Sequence, residues 1–170
     1  MEWNQTFGGF EEEEAWALLQ TDDGGFLFSG WTKSYDSDGS DIWVIKTNSN
    51  GVIGWNQTYG SKTYEYAYDL IKTSDGQFVI AGSSLIKINE TGKVKWSYSL
   101  NRKKYSVIKD IIVTPEDYFI ITGQNLESSD ENIYLAKVSE TTLARKVTCF
   151  DIFSLISAIL IITIWIKRKH

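Results

Sequence analysis

The chain has 170 residues, 42% of them hydrophobic and 14% aromatic, which is enough for one modest packed domain. Its formal net charge is −5; setting aside Asp151 and the basic tail Lys167, Arg168 and Lys169, residues 1–150 carry 14 basic against 21 acidic side chains. That balance repels phosphates and excludes general nucleic-acid binding. The one cysteine, Cys149, excludes an intrachain disulfide framework, and the one histidine, His170, leaves no His-based nucleophilic triad or His-rich metal site within residues 1–148.

Taken in chain order, Trp3-Asn4-Gln5-Thr6-Phe7-Gly8 is expected to form a strand. The acidic run Glu11–Glu14 reads as a loop, because the residues after it lack helical periodicity. Further strands are expected over about 15–21, 25–31 and 42–47, where Phe26-Leu27-Phe28 and Ile42-Trp43-Val44-Ile45 supply aromatic and β-branched side chains. Turns are signalled by Asp23-Gly24-Gly25 and Asn48-Ser49-Asn50-Gly51. Between Gly30 and Lys46 lies a polar segment in which Asp36, Asp38 and Asp41 surround Gly39. Oxygen donors at that density suit Ca²⁺, although the EF-hand order of ligands is not followed; a polar hairpin tip explains the same residues.

The pattern then repeats. Trp3–Gly8 recurs as Trp55-Asn56-Gln57-Thr58-Tyr59-Gly60, and Ala17–Gly24 matches Asp69–Gly76, with a weaker copy at Asp110–Asp117. Gly30, Gly82 and Gly123 hold the same phase, and Lys46, Lys87 and Lys137 each precede Trp55, Trp96 and Lys146 by nine residues. The copies fall at about 1–52, 53–93 and 94–147, the first lengthened by the loop after Gly30. Four short antiparallel strands per copy give an all-β fold of about three β-propeller-like blades, too few to close a ring. The chain is therefore expected to be part of a longer protein or to complete the ring by self-association.

Three sequons, at Asn4, Asn56 and Asn89, are possible glycosylation sites. Two of them lie inside the repeated strand, so a structural origin explains them as well. The basic cluster Asn101-Arg102-Lys103-Lys104 reads as a solvated loop. From Ile152 to Ile166 the chain is free of charge, and apolar residues occupy every helical face. Its fifteen residues span roughly 22 Å as a helix, a short transmembrane segment that Phe150 and Asp151 lengthen to 150–166. The positive-inside rule places the tail 167–170 in the cytoplasm and the repeats outside.

On these residues the chain resembles the tandem repeat of archaeal and bacterial cell-surface proteins, read as Trp-Asn-x-Thr-Tyr-Gly, Leu-Ile-x-Thr-x-Asp-Gly-Gly and a Trp-rich strand. Leu85–Trp96, with its Thr91-Gly92 turn before Trp96, is similar to the quinoprotein-type propeller repeat. The tail resembles an archaeal sorting tag, with Thr148-Cys149-Phe150 where Pro-Gly-Phe would stand. The resemblance implies a non-enzymatic, membrane-anchored surface protein whose propeller scaffold meets protein or glycan ligands and needs no cofactor. The alternative is a quinoprotein-like enzymatic propeller whose active site is degenerate or lies elsewhere.

Overall fold

The computed structural model describes residues 2–35, 39–60, 64–99, 107–125, 132–141 and 143. The expected membrane segment 150–166, the tail 167–170 and the basic cluster 101–104 lie outside them. Among the described residues no helix is long and apolar enough to cross a membrane.

The described residues form an all-β fold, with three antiparallel sheets and almost no helix among them. The first sheet holds β1 (Glu13–Gln20), β2 (Phe26–Thr32), β3 (Asp41–Thr47) and β4 (Ile53–Tyr59) in sequence order. The second holds β5 (Ala67–Lys72), β6 (Phe78–Gly82), β7 (Ser84–Ile88) and β8 (Val94–Ser99), again in order. The third consists of β9 (Val107–Val113), β10 (Tyr118–Asn125) and β11 (Asn132–Ser139). The described sheets do not close a ring.

Two details of the expected strands are corrected. Residues 3–8 form no strand, whereas their repeat, residues 55–59, lies in β4 and pairs with β3. A strand needs a ladder partner, and no described strand lies beside 3–8. Each four-stranded sheet thus runs one strand out of phase with the sequence copies, since the opening strand of the second copy completes the first sheet. The acidic run is also not wholly a loop: Glu13 and Glu14 begin β1 opposite Thr32 and Trp31. The Glu13 carboxylate is held there by the Thr32 hydroxyl, which donates to Oε1 at 2.9 Å.

The repeat's turn chemistry is visible in all three copies. Thr21 and Thr73 donate their hydroxyls to Asp23 and Asp75 at 2.5 Å, and the backbone amides of Gly24 and Gly76 close back on the threonine carbonyls. Gly76 sits at φ 77°, where a Cβ is disfavoured. The third copy puts Asp117 at this left-handed position, with φ 59°, a residue type that tolerates it better than most.

The sheets stack face to face. The front of the first (Leu27, Ile42, Val44) meets the back of the second (Leu70, Phe78, Ile80, Ile86). The front of the second (Val79, Ala81, Leu85, Trp96) meets the back of the third (Ile111, Phe119, Ile121), with Leu143 closing the end. The first strands draw together, β1 against β5 and β5 against β9, while β4 and β8 make no comparable contact. The sheets therefore spread like a fan from their first strands.

The landmark lysines and tryptophans now have a reason. Lys46 lies opposite Trp55 on neighbouring strands, and Lys87 lies opposite Trp96. A nine-residue spacing across a tight turn puts the pair side by side. Each ammonium also reaches the turn aspartate of its own sheet, Lys46 to Asp23 at 2.8 Å and Lys87 to Asp75 at 2.9 Å. Each tryptophan reaches forward onto the next sheet's turn. Trp55 Nε1 donates to the Glu90 carbonyl at 2.9 Å, and Trp96 Nε1 to Glu140 Oε1 at 3.0 Å.

Candidate functional site

The converging first strands carry the most distinctive arrangement in the molecule. In β1, β5 and β9 the ladder skips one residue each time: Trp16, Tyr68 and Lys109. All three lie five residues before the threonine of their copy, so they are equivalent positions of the repeat. Opposite them stand Gly30, Gly82 and Gly123. A Cβ on these glycines would land on the carbonyl oxygens of Glu14, Tyr66 and Val107. Glycine is required because the bulged backbone presses against it.

The bulges re-aim three side chains into one column. The Trp16 and Tyr68 rings stack with centroids 4.6 Å apart and planes 9° from parallel. Lys109 Nζ stands 3.3 Å from the Tyr68 centroid. A ring with an indole this close on one face has room for an ammonium only on the other, so Tyr68 is sandwiched. Tyr66 extends the row, 5.9 Å from Trp16 and edge-on to Trp31 at 5.8 Å. Lys33, paired with Glu12 at 2.6 Å, lies 5.5 Å from the Trp31 ring. Trp16 keeps 38% of its surface in solvent. The result is an open aromatic platform flanked by cations.

Next to the column, Asp69 and Asp110 also occupy one repeat position on adjacent sheets. Burial pushes the Asp69 carboxyl above its ordinary range, and the neighbouring Asp110 adds to this against the backbone amides that it accepts from. Those amides are Leu70 N at 2.7 Å and Ile111 N at 2.9 Å, so both oxygens are engaged and Asp69 ties β5 to β9. An acid held this way serves as a fastener between sheets.

At the turn end of the second and third sheets lies a polar cleft of about 340 Å³, lined by Asp75, Lys87, Glu116, Asp117 and Glu140 among others. Lys87 is its centre, 3% exposed and bound to Asp75 at 2.9 Å and Glu140 at 2.8 Å. Partial burial raises the Asp75 carboxyl, but hydrogen bonds from Lys87, Thr73 and the Gln77 amide outweigh it and bring its pKa down to about 2. Burial likewise disfavours the Lys87 ammonium, and its two carboxylate partners reverse that and raise its pKa. One ammonium between two carboxylates leaves the cluster net negative, and through Glu140 it ties the second sheet to the end of the third.

Of the residues singled out from sequence, Asp36 and Asp38 lie outside the described residues. Asp41 opens β3, buried to 3% exposure, with its carboxylate against the backbone of Gly60. Among the described residues no group of three or more His, Cys, Asp or Glu side chains is placed to hold a metal ion. Asn4 and Asn56 are exposed, and Asn56 Oδ1 accepts the Trp43 indole N–H at 3.2 Å. Asn89 Oδ1 accepts the amides of Thr91 and Lys93 at 3.1 and 2.8 Å, as Asn48 does for Asn50 and Val52. The Asn89 sequon therefore coincides with a turn that the repeat needs anyway. The stacked column was missed from sequence. Its signal was three chemically unlike residues at one repeat position, each beneath an obligatory glycine.

Compared with known protein families, the chain matches no family model, and a search of curated proteins finds no match.

Proposed function

We propose that the chain is a non-enzymatic surface module: a sector of a β-propeller whose innermost strands present an aromatic row to glycans. The observation that carries this reading is the column Trp16–Tyr68–Lys109, in which equivalent bulged positions of three sheets form one stack that stays open to solvent at Trp16. A flat indole face left open to solvent is the usual partner of the apolar C–H face of a sugar ring. Propeller geometry is supported by the fan of four-stranded meanders whose first strands converge. The enzymatic alternative, a quinoprotein-like propeller, would be favoured instead by a quinone absorbance or a metal-dependent oxidation.

In this reading residues 150–166 anchor the module, with the repeats outside and the basic tail 167–170 in the cytoplasm. Resistance of the chain to carbonate extraction from membranes, with the repeats open to added protease on the outer side, is the expected result. Extraction as a soluble protein would remove the anchor from the proposal.

The binding test is a glycan array probed with the full chain in detergent micelles, followed by titration of the best neutral and acidic oligosaccharides. Trp16→Ala should weaken binding about tenfold or more, roughly 1.4 kcal/mol, and Trp16→Phe should retain most of it. Binding that is indifferent to Trp16, or no glycan bound at all, would overturn the reading.

A further inference from the structure

The front face of the third sheet is built like the faces that the first two sheets bury. Register equates Ile112 with Leu19 and Ile71, Ile120 with Leu27 and Val79, and Leu135 with Val44 and Leu85. Leu27, Val79, Val44 and Leu85 are fully buried against the next sheet. Ile112 is 58% and Leu135 64% exposed, with Ile133 beside them at 85%. Among the described residues no strand pairs with the far side of β11.

At the other end of the stack lies the complement. Residues 3–8 rest on the back of the first sheet as β4 rests on the second. A Cβ built on Gly51 would meet Trp3 at 2.6 Å and Gln5 at 3.1 Å; one on Gly92 would meet Trp55 at 3.0 Å and Gln57 at 3.1 Å. The Phe7 ring packs 5.2 Å from Phe28, and Leu18 beside it is 67% exposed. Trp3–Gly8 is thus a fourth strand in position, and among the described residues no strand pairs with it.

We infer that a second copy of this chain covers the third sheet, its Trp3–Gly8 adding to β11 as the fourth strand while the back of its first sheet packs on Ile112, Ile120 and Leu135. Three arguments choose this occupant. Five of the six residues Trp3–Gly8 are identical to Trp55–Gly60, which already fill that role beside β3. The Lys–Trp cross-strand pair of the first two sheets is restored by Trp3 opposite Lys137. The chain's own residue nine positions on is Lys146, and like charges directly opposite one another are unfavourable. Finally, two copies bring six sheets together, within the four to eight of closed propellers. The contact is head-to-tail, so closure after two copies separates a ring from a filament. The inference rests on sheet register and holds whether or not the aromatic row takes a sugar.

The register makes the test specific. Transferred from Val44 opposite Gln57, it sets Leu135 of one copy opposite Gln5 of the next. Full-length chains carrying Cys149→Ser are prepared in detergent, one with Leu135→Cys and one with Gln5→Cys. Mixing and oxidation should give a disulfide-linked heterodimer, whereas Ile133→Cys with Gln5→Cys, two residues out of register, should give little. Sedimentation should show a species of about twice 19.4 kDa that Leu135→Lys reduces to single chains. Leu135 is exposed in a single chain, so the far-UV circular dichroism of that variant should be unchanged. Single chains at tens of micromolar with no cross-link would overturn the inference. So would association that survives Leu135→Lys without the register-specific disulfide, which would mean pairing through residues 152–166, and so would a native polypeptide whose further repeats occupy the face.

Discussion

The second and third sheets have nearly the same register and different fates. In the second, Val79 and Leu85 are sealed under the third sheet, and Lys87 is held at 3% side-chain exposure between two carboxylates. In the third, the equivalent Ile120 and Leu135 face outward, and Lys137 lies over the Tyr118 ring at 4.0 Å instead of binding a turn carboxylate. The residue types hardly differ; the neighbours do. A strand's alternation says which side chains share a face, and only the next layer decides whether that face becomes core.

The sharpest way to break this comparison is to truncate equivalent leucines. Leu85→Ala should cost about 2–5 kcal/mol in urea unfolding, as buried leucines do. Leu135→Ala should cost no more than about 0.5 kcal/mol in dilute single chains. Equal losses at low protein concentration would mean that the third face is covered within one chain.

The bulges offer the next largest contrast. Gly82→Ala drives a Cβ into the Tyr66 carbonyl and should cost about 1–3 kcal/mol while erasing the near-ultraviolet signal of the Trp16–Tyr68 stack. Gly76→Ala meets no atom and strains only the turn, with a cost of about 1 kcal/mol and the stack intact.

The smallest effect is electrostatic. Asp75 falls from 3.8 to about 2 on folding, so it contributes stability that is fully present above its unfolded value. That contribution is lost as pH drops from about 4 toward 2, because the unfolded chain then takes up the proton more readily than the folded one. Asp75→Asn should flatten the stability profile across that interval. Asp69, raised on folding by burial, acts with the opposite sign, its contribution being greatest when protonated and declining as pH rises past its unfolded value. Asp69→Asn should therefore leave the acid limb of the profile unchanged or steeper.

Much of the fold was legible in the sequence, because the repeat's landmarks are fixed by local chemistry. The Thr-x-Asp-Gly turns and the Lys–Trp spacing each reflect one short-range geometry that permits few residues. The phase of the sheets was not legible. Trp3–Gly8 and Trp55–Gly60 have the same strand chemistry, and only the availability of a partner makes one a strand and the other an extended segment. Nor could alternation reveal the column. A bulge shifts Trp16, Tyr68 and Lys109 out of the two-residue period that locates side chains on a face, and the glutamates before Trp16 disguise the start of β1.

The phase offset between sheet and repeat also bears on how such a chain can change length over evolutionary time. Excising residues 53–93 would bring Trp96 to the position Trp55 now holds, nine residues after Lys46, with the ladder register intact. One whole sheet would vanish, and the new junction would fall inside a turn that the repeat already encodes. Unequal exchange between copies thus preserves the strand ladder at equivalent points, so the number of sheets can drift by recombination without any sheet having to be invented or repaired.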